Sequence, residues 1–180
     1  LIIVRDEEES KLNLPRKYGV DDIPLVLQFQ SFDNNQQILE NDELDNQIIA
    51  NGTVKGQLNC PAQIVRLRLL NGSSHRVFRL GFTNNINFYQ ITSDDGLLNK
   101  PVQLNRLNLG SGERAEILLD LSKMEGKTVE LFTFGNELPT GYPGGPAMMN
   151  MSLGPLDNKT TQILSINITN FRIATEYIHF

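Results

Sequence analysis

Apolar residues in this chain recur at every second position, and that period constrains the fold more than any other feature. Leu25, Leu27 and Phe29 alternate with Val26, Gln28 and Gln30, and Val65, Leu67 and Leu69 alternate with Arg66 and Arg68. Phe78, Leu80 and Phe82 repeat the pattern, as do Ala115, Ile117, Leu119 and Leu121 against Arg114, Glu116 and Asp120. Leu164, Ile166 and Ile168 alternate with Ser165, Asn167 and Thr169. Successive side chains of a strand point to opposite faces, so each run predicts a strand with one face in a core and the other in water. Residues 87–93, 101–109 and 128–134 are further strand candidates. Between the runs lie Asn51-Gly52, Asn71-Gly72, Asp95-Gly96, Gly110-Ser-Gly112 and Glu125-Gly126, which accept the positive φ of tight turns. About seven or eight short strands, with turns every 8–12 residues, predict an all-β sandwich. No segment sustains a helical period.

Two stretches break the rhythm. Residues 33–46 are polar and acid-rich, and are expected to form a long connection or a partly helical excursion. Residues 135–158 hold Gly135, Pro139, Gly141, Pro143, Gly144, Gly145, Pro146, Gly154 and Pro155, a density that excludes regular structure and predicts an extended loop. At the start, Leu1-Ile-Ile-Val4 reads as a strand already under way.

With 180 residues, 39% hydrophobic and 21% charged, the chain has the composition and length of one globular domain with its own core. Residues 1–45 carry 11 acids and 4 bases, a net −7, and the rest carry 10 acids and 12 bases, a net +2. No basic stripe with interleaved aromatics occurs, which argues against nucleic acid as a partner. No apolar run approaches the roughly 20 residues of a membrane helix, so membrane insertion is not expected. The acidic run Asp6-Glu-Glu-Glu9 reads as a solvated connector. One cysteine, Cys60, excludes an internal disulfide, and it reads as an inert, small apolar residue.

Four blocks carry a family resemblance: Leu14-Pro-Arg-Lys-Tyr-Gly-Val-Asp-Asp-Ile-Pro-Leu-Val-Leu-Gln28, Arg66-Leu-Arg-Leu-Leu-Asn-Gly72, Ser93-Asp-Asp-Gly-Leu-Leu98 and Gly110-Ser-Gly-Glu-Arg-Ala-Glu-Ile-Leu-Leu-Asp120. In this order they resemble the middle cupredoxin-like domain of three-domain multicopper oxidases, from about Leu1 to about Thr169. The resemblance implies a Greek-key, cupredoxin-like β-sandwich over residues 11–170. Residues 1–10 would then end a preceding domain or connect to it, and residues 171–180 would be a linker or tail. It also implies flanking cupredoxin domains as partners, copper in those domains and none in this chain, and a periplasmic or extracellular location. The parent protein would oxidise a phenol, an amine or Cu(I) at the expense of dioxygen. The family's copper-free relatives, which act in the cell envelope in processes such as division, offer an alternative. An independent carbohydrate- or protein-binding sandwich is a third. The 135–158 loop would face the third domain.

The ligand inventory agrees with a copper-free chain. A blue copper needs a thiolate and two imidazoles with a long axial thioether. Here Cys60 is separated from His75 by 14 residues, and the second histidine is His179. The two histidines read as a surface-turn residue and a tail residue. Met148, Met149 and Met151 are soft enough for Cu(I), but they read first as gap-filling side chains at a domain contact. Asp94-Asp95-Gly96 lacks the remaining spacing of a calcium loop and reads as a strand-end turn. No catalytic, cofactor-binding or metal-binding residue is assigned. Sequons occur at Asn51, Asn71, Asn150, Asn158 and Asn167, and matter where secreted proteins are glycosylated.

Overall fold

The computed structural model describes residue 3 and residues 5–39, 45–148 and 154–170. Half of the chain is strand and 7% is helix. A short helix, α1 (Glu7–Lys11), precedes β1 (Asp22–Gln30), β2 (Gln47–Ala50), β3 (Thr53–Val54), β4 (Gly56–Pro61), β5 (Ile64–Asn71) and β6 (Phe78–Phe82). There follow β7 (Phe88–Ser93), β8 (Gly96–Leu104), β9 (Leu107–Leu109), β10 (Arg114–Asp120), β11 (Thr128–Phe134) and β12 (Thr160–Thr169). Seven strands form one sheet in the order β3-β2-β1-β5-β10-β7-β8, and five form the other in the order β4-β12-β11-β6-β9. The pairs β1–β5 and β4–β12 are parallel; the ladders β1–β2, β5–β10, β7–β10, β7–β8, β6–β11 and β11–β12 are antiparallel. The chain passes repeatedly between the sheets, as from β3 to β4 through Lys55 at φ 49°. The architecture is the expected all-β Greek-key sandwich.

The alternating residues make the core. Leu25, Leu27, Val65, Leu67, Leu69, Ile117 and Leu119 of the larger sheet face Leu80, Leu131, Leu164, Ile166 and Ile168 of the smaller one. Two ring pairs bridge the sheets: Phe29 stacks on Phe78 at 4.4 Å, and Phe82 meets Phe88 edge-on at 5.5 Å. Pro24, which has no N–H, sits in β1 ahead of the stretch that pairs with β2, so no ladder bond is lost to it. Asn51 and Gly52, at φ 48° and 80°, close the two-residue β2–β3 turn.

Several expectations need correction. The candidate run 101–109 divides between sheets: β8 is an edge of the larger sheet, and β9 belongs to the smaller one. Among the described residues twelve strands replace the seven or eight expected, because β2, β3 and β4 are additional short pieces and the run 101–109 is divided between β8 and β9. Arg66, expected in water, is buried. Asp6-Glu-Glu-Glu9 is not a solvated connector throughout, since Asp6 caps α1 and Glu9 is buried. Ile3 has no regular structure, and the rest of the expected first strand (Leu1, Ile2, Val4) lies outside the described residues. Residues 33–39 form a turn in which Asp33 accepts from the N–H groups of Asn35 and Gln37, with no helix; residues 40–44 lie outside the described part.

Candidate functional site

The residues that could serve a metal are kept apart. Cys60 is the penultimate residue of β4, with its side chain in the core, and burial pushes its thiol up to about 12. His75 stands in an exposed bend, 2.9 Å from Ser74 Oγ and 3.7 Å from Asp45 Oδ2. His179, Met149 and Met151 lie outside the described residues, and Met148 is exposed. Among the described residues no three His, Cys, Asp or Glu side chains gather where they could hold a metal ion. A trigonal thiolate–imidazole copper does not fit this arrangement. A thiol-specific reagent at pH 8 is therefore expected to modify Cys60 of the native chain about a hundredfold or more slower than that of the unfolded chain. Comparable labelling rates in the two states would contradict its placement.

What the fold does assemble is charge. On the outward face of the larger sheet the parallel register sets Asp22 opposite Arg66, and the antiparallel register sets Glu116 opposite Arg68. Arg68 donates to Asp22 Oδ1 at 2.6 Å and to Glu116. Arg66 donates from Nε to Glu116 Oε2 at 2.6 Å and from Nη1 to Glu9 Oε1 at 2.6 Å. Arg5 reaches Asp22 Oδ2 at 2.6 Å. Burial works against the Arg68 charge, but Asp22 and Glu116 outweigh it and raise its pKa. Three cations thus meet three carboxylates, as a buried ionic group requires. The signal was present in the sequence: two arginines at i, i+2 on the face opposite core leucines, with Asp22 and Glu116 on strands of the same kind. What hid it was the cover supplied by α1, which is tertiary.

A second cluster ties the loops at one end of the sandwich. Arg76, buried and 5.3 Å over the Phe29 ring, donates from Nε to Asp45 Oδ2 at 2.6 Å and pairs with Asp157. The loop 135–158 leans on this end: Val77 N–H donates to Pro143 O at 3.1 Å and Asn158 N–H to Gly144 O at 3.0 Å. It is therefore not wholly without regular structure or internal support, since Gly135–Glu137 forms a 3₁₀ turn and Leu138 is buried. Tyr142 and Met148 remain exposed. Asn71 is unavailable as a sequon: it is fully buried, donating to Arg76 O at 2.7 Å and Leu109 O at 2.9 Å. Asn51 also spends its amide internally, on Pro24 O and Val26 N–H.

A third group lies outside the smaller sheet. Arg106 stacks 3.5 Å over Phe134, and Arg106 and Arg79 share Glu137. The hydrogen bond from Arg106, followed by that from Arg79, holds the Glu137 carboxyl below its ordinary value of 4.5. Whatever stability this cluster adds is complete above pH 4.5 and is lost as pH falls below it. In Arg106→Leu the Glu137 titration followed by NMR is expected to move upward; an unmoved midpoint would contradict the assignment.

None of these groups is a nucleophile beside a base. They neutralise one another and pin chain segments. No family model matches the sequence. The chain is 38% identical over 135 residues to the cell division protein FtsP of Xenorhabdus nematophila, covering 72% of this chain and 28% of that protein. It is 37% identical over 130 residues to a multicopper oxidase of Staphylococcus haemolyticus, covering 69% and 29%. It therefore spans less than a third of the length of these curated relatives. Among solved structures, a laccase-like multicopper oxidase from Ochrobactrum sp. superposes with a TM-score of 0.76 at 27% identity, over 98% of this chain and 36% of that one. A multicopper oxidase from Pediococcus acidilactici superposes at 0.73 and 32% identity, over 97% and 32%. Four ordered sequence blocks, a two-sheet Greek-key sandwich and these likenesses agree: the chain is a cupredoxin-like domain of the multicopper oxidase family.

Proposed function

We propose that this chain is the central spacer of a three-domain multicopper oxidase. It carries no copper itself, and the cupredoxin domains on either side carry it. The full-length protein takes single electrons from a phenol, an amine or Cu(I) and reduces dioxygen to water, in the periplasm or outside the cell. The observation that carries this reading is coverage: nearly the whole chain superposes on 36% of an oxidase, while among the described residues its thiol and His75 join no cluster able to hold a metal ion. A spacer must be stiff. Two packed sheets and the Arg66–Arg68 and Arg76 clusters supply that stiffness by fixing the segments that lead away from the sandwich.

The likeness to FtsP favours a second reading, a copper-free envelope protein of cell division with the same central domain. The full-length protein separates the two. Purified after copper loading, it is expected to bind copper, show an intense thiolate-to-copper band and consume dioxygen with Cu(I) or a phenol. Absence of copper and of dioxygen uptake would overturn the oxidase reading in favour of the division one.

A further inference from the structure

We infer that the segment Arg5–Leu14 is a charge-latched strap that builds one wall of an apolar groove, and that this groove receives side chains from a flanking domain of the same polypeptide. The inference rests on the reading above in one respect: the chain must be part of a longer protein.

The latch is the part of the ion-pair face that belongs to the strap. Arg5 is held by Asp22 and Arg16 O, and Glu9 by Arg66. Arg16 then clamps the end of α1 by donating to the carbonyls of Glu9, Ser10 and Leu12. Glu9 Oε2 is buried without a hydrogen-bond partner, so its charge is balanced through Oε1 and Arg66. Loss of Glu9 would leave Arg66 to share Glu116 with Arg68. The strap is thus attached by charge at residues 5–9 and by apolar contact beyond.

That apolar contact forms the groove. Leu12 and Leu14 face Leu97 and Leu98 of β8 across a cleft of about 320 Å³, floored by Ile91 and Leu118. Leu118 lies between two core residues, Ile117 and Leu119, and so points outward, yet it and Ile91 are buried. The outward face here is built as an interior, and its rim is not closed: Leu12 and Leu97 are exposed. The occupant is side chains and not an added strand. Although β8 is a nine-residue edge, Lys100 and Pro101 stand at its middle, a charge and a missing N–H that protect edges from pairing. The same guard disfavours a second copy joined edge to edge. The flanking domain is favoured because the chain is 36% of an oxidase on which it superposes almost entirely, so most of such a protein is available to cover it. The first part of the strap, residues 5–10, belongs moreover to the stretch that the family resemblance assigns as the connector.

Hydrogen exchange on the full-length protein and on the 180-residue chain tests this. Amides of residues 96–104 are expected to exchange about tenfold or more slower in the full-length protein. Glu9→Gln, which alters no groove side chain, should remove most of that difference, and so should Leu97→Asp, a change at an exposed position that the sandwich itself tolerates. Equal exchange in the two proteins, or protection unmoved by either variant, would overturn the inference. Protection in the isolated chain that rises with its concentration would also overturn it, in favour of a second copy. Copper content of the same full-length sample keeps the oxidase reading separate. Protected β8 without copper would sink that reading and leave the groove, whereas copper with unprotected β8 would sink the groove alone.

Discussion

Replacing Phe78 by alanine is expected to cost about 3–5 kcal/mol of stability, the range for removing a buried aromatic. Phe78 is fully buried and stacks on Phe29 of the opposite sheet, so its ring is one of the contacts that hold the layers face to face. The loss includes the transfer free energy of the ring and the cavity it leaves. Phe78→Leu keeps most of the volume and should cost less than about 2 kcal/mol. A Phe29→Ala, Phe78→Ala cycle should give a coupling of about 0.5–1.5 kcal/mol beyond area burial. Denaturant midpoints with an unchanged slope are the measurement. A loss below about 1 kcal/mol for Phe78→Ala would mean that the sheets do not meet as described.

Replacing Arg76 by methionine is expected to be comparably severe, about 3–5 kcal/mol, or a fall in Tm of roughly 10 °C for a chain of this size. Methionine can still lie on Phe29, but Asp45 and Asp157 are left nearly buried without their cation. The cost is that of two uncompensated carboxylates and not of one lost contact. Removing the acids as well, in Arg76→Met with Asp45→Asn and Asp157→Asn, should recover a substantial part of the loss. A triple variant no more stable than Arg76→Met alone would show that the arginine acts through packing.

These two effects come from opposite ends of what the sequence discloses. The strands that build the core were legible because each has one apolar and one polar face; β1, β6 and β11 lie close to where the period places them. β8 was misplaced because only Leu98 and Leu104 in it are half-buried and the rest is exposed, so no regular alternation against a core marks it. The charged clusters were not legible, because an arginine on the polar face of a strand, as Arg66 is, or in a loop, as Arg76 is, reads as water-facing until something covers it. For Arg66 the cover is Glu9, 57 positions away. For Arg76 it is Asp157, 81 positions away. Pairings at such separations are set by the topology and have no local pattern. Asn71 is a related case: the Asn-Gly pair suggested an exposed turn, whereas its amide is an internal strut between β9 and the residue 76 carbonyl.

We propose that this domain belongs to the multicopper oxidase family without itself holding copper. The most direct test is an optical and metal-content titration of the 180-residue chain with Cu(II), and with Cu(I) under reducing conditions. The expected result is no intense visible thiolate-to-copper band and no stoichiometric copper after desalting, with at most weak Cu(I) association at Met148–Met151. An intense band, or one copper retained per chain, would contradict the account.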